Sequence, residues 1–302
     1  MSGIDSAIPR IRIGEAADRL IDWLRDNLDP VFDAVAAVLE FFVDSLTELL
    51  LWPPALAMAA VFALLGWFVR SWRFGAGVLA GMLLLVAMDV WSAAMQTLAL
   101  VVVATVVTVL VAVPIGIVAA RNQVVSTIVK PVLDFMQTMP AFVYLIPAVL
   151  IFSVGVVPGV VATIIFSLPP GVRLTELGIR QVDAETVEAG EAFGATPQQI
   201  LRGIQIPLAT PTIMAGINQV IMLALSMAVI AGMVGADGLG KLVVSAIAQL
   251  NTPLGVEAGL GVVILAIFLD RLTAALGDPA GQKGSLRARL AGDKQRGLAQ
   301  VT

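Results

Sequence analysis

Seven stretches of this chain are apolar over nearly the roughly 20 residues of helix that a bilayer crossing requires: about 53–69, 74–92, 96–119, 133–153, 156–171, 211–234 and 256–272. Such a sequence has few ways to fold. Hydrocarbon offers no partner to a backbone N–H or C=O, so a spanning segment must bond its own groups, and runs of this length do so as α-helices. Composition agrees: 13% of the 302 residues are charged, against roughly 25% in a soluble domain. The expected fold is an all-α membrane protein with seven transmembrane helices.

The residues that are missing narrow the function. Without Cys the chain forms no disulfide and offers no thiolate ligand or nucleophile. Without His it lacks the commonest proton shuttle and metal ligand. A net charge of −4 with no basic stripe excludes nucleic acid as a partner. No cleavable secretory signal is expected, because the first long apolar run begins late. Pro114, Pro140 and Pro147 fall in the spans, where neighbouring helices can satisfy the freed carbonyls. Trp52, Trp67, Trp72 and Trp91 fall near span ends, the depth an indole prefers.

Basic residues set the orientation. With the N-terminus outside, the inner segments hold Arg70 and Arg73, then Arg121 and Lys130, then Arg173, Arg180 and Arg202. The C-terminal tail adds Arg271, Lys283, Arg287, Arg289, Lys294 and Arg296, leaving Lys241 and four N-terminal arginines outside. Residues 1–51 differ in kind. Leu20, Ile21, Leu24 and Leu28 mark one helical face before Pro30, and Val31, Val35, Val38, Leu39, Phe42, Leu46, Leu49 and Leu50 continue the rhythm after it. Ten acidic residues fill much of the remainder. Such helices suit an interface on the outer side, where they either brace the bundle or meet a partner.

The long polar segment is 172–210, between the fifth and sixth spans. Asp183 is placed to cap one short helix, with Glu185 in its first turn. Gly194 is placed to end it. Thr196, Pro197 and Gln199 restart a second helix with a capping box, and Pro207 closes the element.

Glu188-Ala189-Gly190, three residues, Gly194, nine residues and Ile204-Gln205-Ile206-Pro207 resemble the EAA loop of ABC importer permeases. Gly190 stands where that family has Ala, and Ile206 where it has Leu. The runs MQTMPAFVYLIPAVLIFSVG, FSLPPGVRLTELGIRQV and MVGADGLG resemble the glycine betaine, proline betaine and choline osmoprotectant permeases in particular. The resemblance covers about 95–275 and implies a five-helix type I importer core. Accessory spans at 52–94 and the amphipathic region 1–51 precede it, and a basic tail at 276–302 follows.

It further implies that Glu188, Ala189, Gly190, Gly194, Ile204, Ile206 and Pro207 dock the chain on a separate ATPase. That partner, not this chain, would bind ATP and Mg and do the hydrolysis. The implied complex holds two copies of this chain, two ATPases and an extracytoplasmic substrate-binding protein in a bacterial cell membrane. Its implied cargo is a compatible solute with a quaternary ammonium group. The same machine with an amino acid or an anion as cargo is the alternative, and an ion-coupled secondary transporter or a membrane scaffold stands further off.

Gly235-Ala236-Asp237-Gly238-Leu239-Gly240-Lys241 imitates a phosphate-binding loop, but Leu242 stands where magnesium needs a hydroxyl. A glycine-rich turn after the sixth span is the expectation. Asp89, Asp134 and Asp270 lie near span ends, so no ionised group is expected at mid-depth, which counts against ion coupling. In the sixth span Ala215, Gln219, Met222 and Ser226 share a face with Asn218 beside it, serving either as a polar route or as glue between helices. Phe135, Phe142 and Tyr144 around Pro140 either pack or attract a quaternary ammonium.

Overall fold

The structure is a computed structural model that describes residues 12–277. The basic tail with Lys283, Arg287, Arg289, Lys294 and Arg296 lies outside the described residues. Every described element is helical. The chain begins with α1 (Ile13–Leu51), which is one helix rather than a pair divided at Pro30. Pro30 and Asp26, whose carbonyl would accept the missing N–H, are both exposed, so water can replace the lost bond. Leu39, Val43 and Leu50 of α1 are buried, and Phe32 stacks edge-on against Phe152 at 5.6 Å. Glu15, Asp18, Asp22, Asp26, Asp29, Asp33, Glu40, Asp44 and Glu48 form an exposed acidic stripe at helical spacing. Val31, Val35, Val38, Phe42 and Leu49 form a separate exposed apolar face.

After a bend of 102° come α2 (Ala55–Val69) and α3 (Trp72–Ala87), packed as a hairpin. Ser71 caps α3 by accepting the Phe74 N–H at 3.3 Å. The expected span 74–92 stops at Ala87, because Asp89 turns left-handed (φ 57°) before α4 starts.

The centre is built from α4 (Trp91–Arg121), α7 (Val156–Arg180) and α10 (Ile206–Ala231), with α7 packed against both others. Small residues allow the close approach: a Cβ on Gly116 of α4 would lie 2.5 Å from Thr175 Cβ of α7. Thr163, Ser167 and Thr175 of α7 return their hydroxyls to the carbonyls of Gly159, Thr163 and Gly171. Buried polar groups are thus satisfied within the helix. Thr108 of α4 and Ser167 also lie 3.2 Å apart across the interface.

Between α4 and α7 run α5 (Gln123–Thr138) and α6 (Ala141–Phe152), bent by 99°. The expected continuous span 133–153 is therefore broken. Pro140 pushes the residue before it out of the helical region, and Met139 is extended at ψ 133°. The Tyr144 hydroxyl donates back to the Met136 carbonyl and fixes the corner.

The expected loop 172–210 begins later than the sequence implies, since α7 continues to Arg180. Its last two turns are polar, and Arg173, Glu176 and Arg180 there bond to Asp134, Ser126 and Ala119 of neighbouring helices. The loop proper holds α8 (Ala184–Ala192) and α9 (Pro197–Ile200). Pro207 does not end the element. Residues 197–234 form one continuous helical path, with a π turn at Leu201–Gln205 in which Ile206 N–H bonds to Leu201 O. The wider turn carries the chain into Pro207, which has no N–H to continue the ordinary pattern.

A short 3₁₀ turn (Gly232–Val234), α11 (Leu239–Ala248) and α12 (Thr252–Gly277) complete the fold. Among the described residues four helices are long and apolar enough to cross a membrane, or six if each bent pair is one span. The expected seven also counts α2 and α3 as separate crossings. The 15 and 16 residues of α2 and α3 reach only about 22–24 Å at 1.5 Å per residue, short of a hydrocarbon core of about 30 Å.

Candidate coupling loop and the polar network beneath it

Local chemistry shapes the loop. Asp183 Oδ1 accepts the Glu185 N–H at 3.0 Å and starts α8. At the other end Ala195 N–H bonds to Gly190 O at 3.1 Å and Gly194 N–H to Glu191 O at 2.8 Å. These paired bonds are a Schellman closure, and they require the left-handed φ of 78° that Gly194 adopts. Thr196 then caps α9 in a full capping box: Gln199 Oε1 accepts the Thr196 N–H at 2.8 Å, and Thr196 Oγ1 accepts the Gln199 N–H at 3.4 Å.

The loop residues singled out in the sequence divide by position. Glu188, Ala189 and Gly194 are exposed. Gly190 faces α10's approach, where an added Cβ would lie 2.8 Å from Ile204 Cδ1, so Ile204 fills the place an Ala methyl would take. Ile206 packs with Ile179, Leu201, Ala209 and Ile213, while Pro207 is exposed. One residue escaped sequence reasoning: Phe193, beside Gly194, is 93% exposed. An aromatic in an otherwise polar loop was the available signal.

Beneath α8 a groove of about 510 Å³ is lined by Arg121, Arg180, Glu188, Glu191, Ile200 and Gln205, among others. Arg180 leads from it into a network that the sequence did not reveal. Glu176, 4% exposed, receives the Ser126 hydroxyl at 2.7 Å, Arg180 Nε at 2.9 Å and Lys130 Nζ at 3.4 Å, all on one carboxylate oxygen. Arg180 also donates to Ala119 O at 2.9 Å, near the C-terminal end of α4, where helix carbonyls favour a cation. One turn along, Arg173 pairs with Asp134. Ser126, Lys130 and Asp134 thus lie at i, i+4 and i+8 on α5 and join it to α7. The sequence signal was the Glu176/Arg180 spacing of four.

The polar residues of α10 separate. Gln219, Met222 and Ser226 lie on an exposed stripe together with Ala215, and Ser226 donates to Met222 O at 3.0 Å. Asn218 does not belong to that stripe. It donates to Asp270 of α12 at 2.8 Å and accepts the Thr273 hydroxyl at 2.7 Å, so it joins α10 to α12. The aromatic residues around Pro140 also part company: Phe135 and Phe142 are exposed, whereas Tyr144 is buried edge-on against Phe166 at 5.7 Å.

The phosphate-loop imitation is a packing turn. Gly238 has φ 118°, a Cβ there would lie 2.5 Å from Thr97 Oγ1, and that hydroxyl accepts the Leu239 N–H at 2.8 Å.

Comparisons with known proteins bear on the family and the fold. The family described as "Binding-protein-dependent transport system inner membrane component" matches residues 112–278. The chain is 50% identical to the glycine betaine transport system permease protein OpuAB of Bacillus subtilis (strain 168), over 88% of this chain and 94% of that one. It is 47% identical to the glycine betaine/proline betaine transport system permease protein ProW of Escherichia coli (strain K12), over 88% and 75%. Among solved structures, an inward-facing form of the MetNI methionine ABC transporter aligns with a TM-score of 0.58 and 20% identity, over 63% of this chain and 95% of that one. Likeness at that identity speaks for the fold alone.

Proposed function

This chain belongs to the binding-protein-dependent transport system inner membrane component family, and from that membership we propose that it is the permease subunit of an ABC importer for a compatible solute of the glycine betaine type. The observation that carries the reading is the loop from Asp183 to Gln199, capped at each start and closed at Gly194. A polar segment held this rigidly presents Glu188, Ala189 and the bare ring of Phe193 to a partner surface. An apolar side chain 93% exposed at the tip of a polar loop is suited to burial in such a partner.

In this reading the loop lies in the cytoplasm and docks on a separate ATPase, which binds ATP and Mg and supplies the energy. The distribution of Arg70, Arg73, Arg121, Lys130, Arg173, Arg180 and Arg202 supports that side, with the N-terminus outside and the C-terminus inside a bacterial cell membrane. That orientation needs an odd number of crossings, which α4, the bent pair α5–α6, α7, α10 and α12 supply, the hairpin of α2 and α3 adding none or two. The chain itself performs no covalent chemistry. Two copies face one another, two ATPases bind below and a substrate-binding protein delivers cargo from outside. The exposed stripe of Gln219, Met222 and Ser226 lines the path between the copies. The acidic stripe of α1 points to water at the outer interface while its exposed apolar face meets lipid.

The test is reconstitution with the cognate ATPase and binding protein, measuring ATP-dependent uptake of labelled glycine betaine. Uptake that needs ATP and is lost in Gly194→Asp supports the reading. Uptake driven by an ion gradient without ATP overturns it. ATPase stimulation by another solute, without betaine uptake, keeps the importer and discards the cargo.

A further inference from the structure

Glu176 is a buried carboxylate with no place in the docking surface or the path, yet α5 and α7 are tied on it and its partner Arg180 reaches the end of α4. Its helix, α7, is the one most enclosed by the bundle; Ser126 and Lys130 bring α5; Arg180 brings the groove under α8 and the end of α4. Glu176 is buried while Lys130 and Arg180 reach it from partly exposed positions, so parting them leaves an uncompensated buried carboxylate, which is costly. α5 leads directly into the 99° corner at Pro140 and so to α6, which carries Phe142.

We infer that Glu176 is the positioning residue that passes displacement of the coupling loop to α5 and the broken span. A push on α8 passes from Gly190 to Ile204 and through the π turn to Leu201, which shares a buried cluster with Ile179 beside Arg180. Arg180 is tied to Glu176, and Glu176 holds α5 through Ser126 and Lys130, with Asp134–Arg173 as a second tie one turn along. The corner then moves with α5 as a unit, because the Tyr144 hydroxyl bonds across it to Met136 O. This inference rests on the permease reading above.

The test uses the full complex in proteoliposomes and reads solute imported per ATP hydrolysed, with ATPase co-purification as the measure of assembly. In Glu176→Gln the oxygen still accepts from Ser126, but Lys130 and Arg180 face each other without a counter-charge. Assembly is expected to stay at the unaltered level while import per ATP falls on the order of threefold to thirtyfold, the range for residues in coupling networks. Glu176→Asp restores part of it. Lys241→Gln, which breaks an exposed pair with Asp237, leaves the ratio unchanged.

An unchanged ratio in an assembled Glu176→Gln complex overturns the inference alone. If that variant does not assemble, Lys130→Gln decides, since Lys130 is half-exposed and its loss leaves Ser126 and Arg180 in place. A reduced ratio there supports the inference and an unaltered one overturns it. Absence of ATP-dependent uptake in the unaltered complex overturns the permease reading and this inference with it.

Discussion

The hydroxyl of Thr97, near the start of α4, accepts the backbone N–H of Leu239 at 2.8 Å across 142 residues of sequence. It thereby caps α11, whose first N–H groups have no partner within the helix. Both residues are buried. The bond is the point at which the glycine-rich turn is fixed to the bundle, and it accounts for the geometry of a segment that otherwise imitates a nucleotide loop.

Thr97→Val keeps the shape and removes the acceptor, leaving a buried N–H without a partner. The expected cost is about 1–3 kcal/mol. It should appear as a lower unfolding midpoint of the purified protein in detergent, while Thr97→Ser stays close to the unaltered value.

Two glycines of the coupling loop, four residues apart, should behave oppositely. Gly194→Ala meets no atom within 4 Å but must hold φ at 78°, a strain of about 1–2 kcal/mol for a residue with a Cβ. The fold should survive while the ATPase co-purifies less completely. Gly190→Ala crowds only the flexible tip of Ile204, with Ile200 Cγ1 at an ordinary 3.6 Å, and gains up to about 1 kcal/mol of helix propensity, so co-purification should be unchanged.

Thr196→Ala removes the capping box at the second start of the loop. The local cost is about 0.5–2 kcal/mol. Hydrogen exchange should quicken at Gln198 and Gln199, with little change in the global unfolding midpoint, because the bundle does not depend on that cap.

Asn218 and Gln219 are neighbours with different surroundings, and their substitution should separate stability from transport. Asn218→Leu takes from Asp270 its partner on α10, while Thr273 keeps its bond to Leu269 O, and should destabilise the α10–α12 contact by about 0.6–2 kcal/mol, read as a lower unfolding midpoint. Gln219→Ala touches an exposed stripe and should leave that midpoint unchanged while altering the uptake rate.

Much of the coupling loop was legible in the sequence because its determinants are local. Asp183 with Glu185, Thr196 with Gln199 and Gly194 with Glu191 all act within three residues, the distance over which residue type decides caps and turns. Membrane residence was legible for a similar reason: each apolar segment bonds its own backbone, so its character is a property of that segment alone. The same local view set the ends of the elements wrongly. It divided α1 at Pro30, closed a helix at Pro207 and ran a single span through Pro140. Proline removes one hydrogen bond in each case, and the surroundings then decide between a solvated gap, a π turn and a sharp corner.

What only the tertiary structure decided is which polar residues meet. Asn218 and Gln219 are adjacent in sequence, yet at 3.6 residues per turn they point about 100° apart, one to α12 and the other to an open face. Glu176 read as part of a polar loop until Ser126, 50 residues away, and Lys130 closed around it, with Arg180 reaching Ala119 across 61 residues. The sequence by itself determined the helices, the caps and the membrane as solvent, because those follow from each residue and its near neighbours. Packing decided the partners of the buried charge, because that pairing depends on how α4, α5 and α7 are brought together.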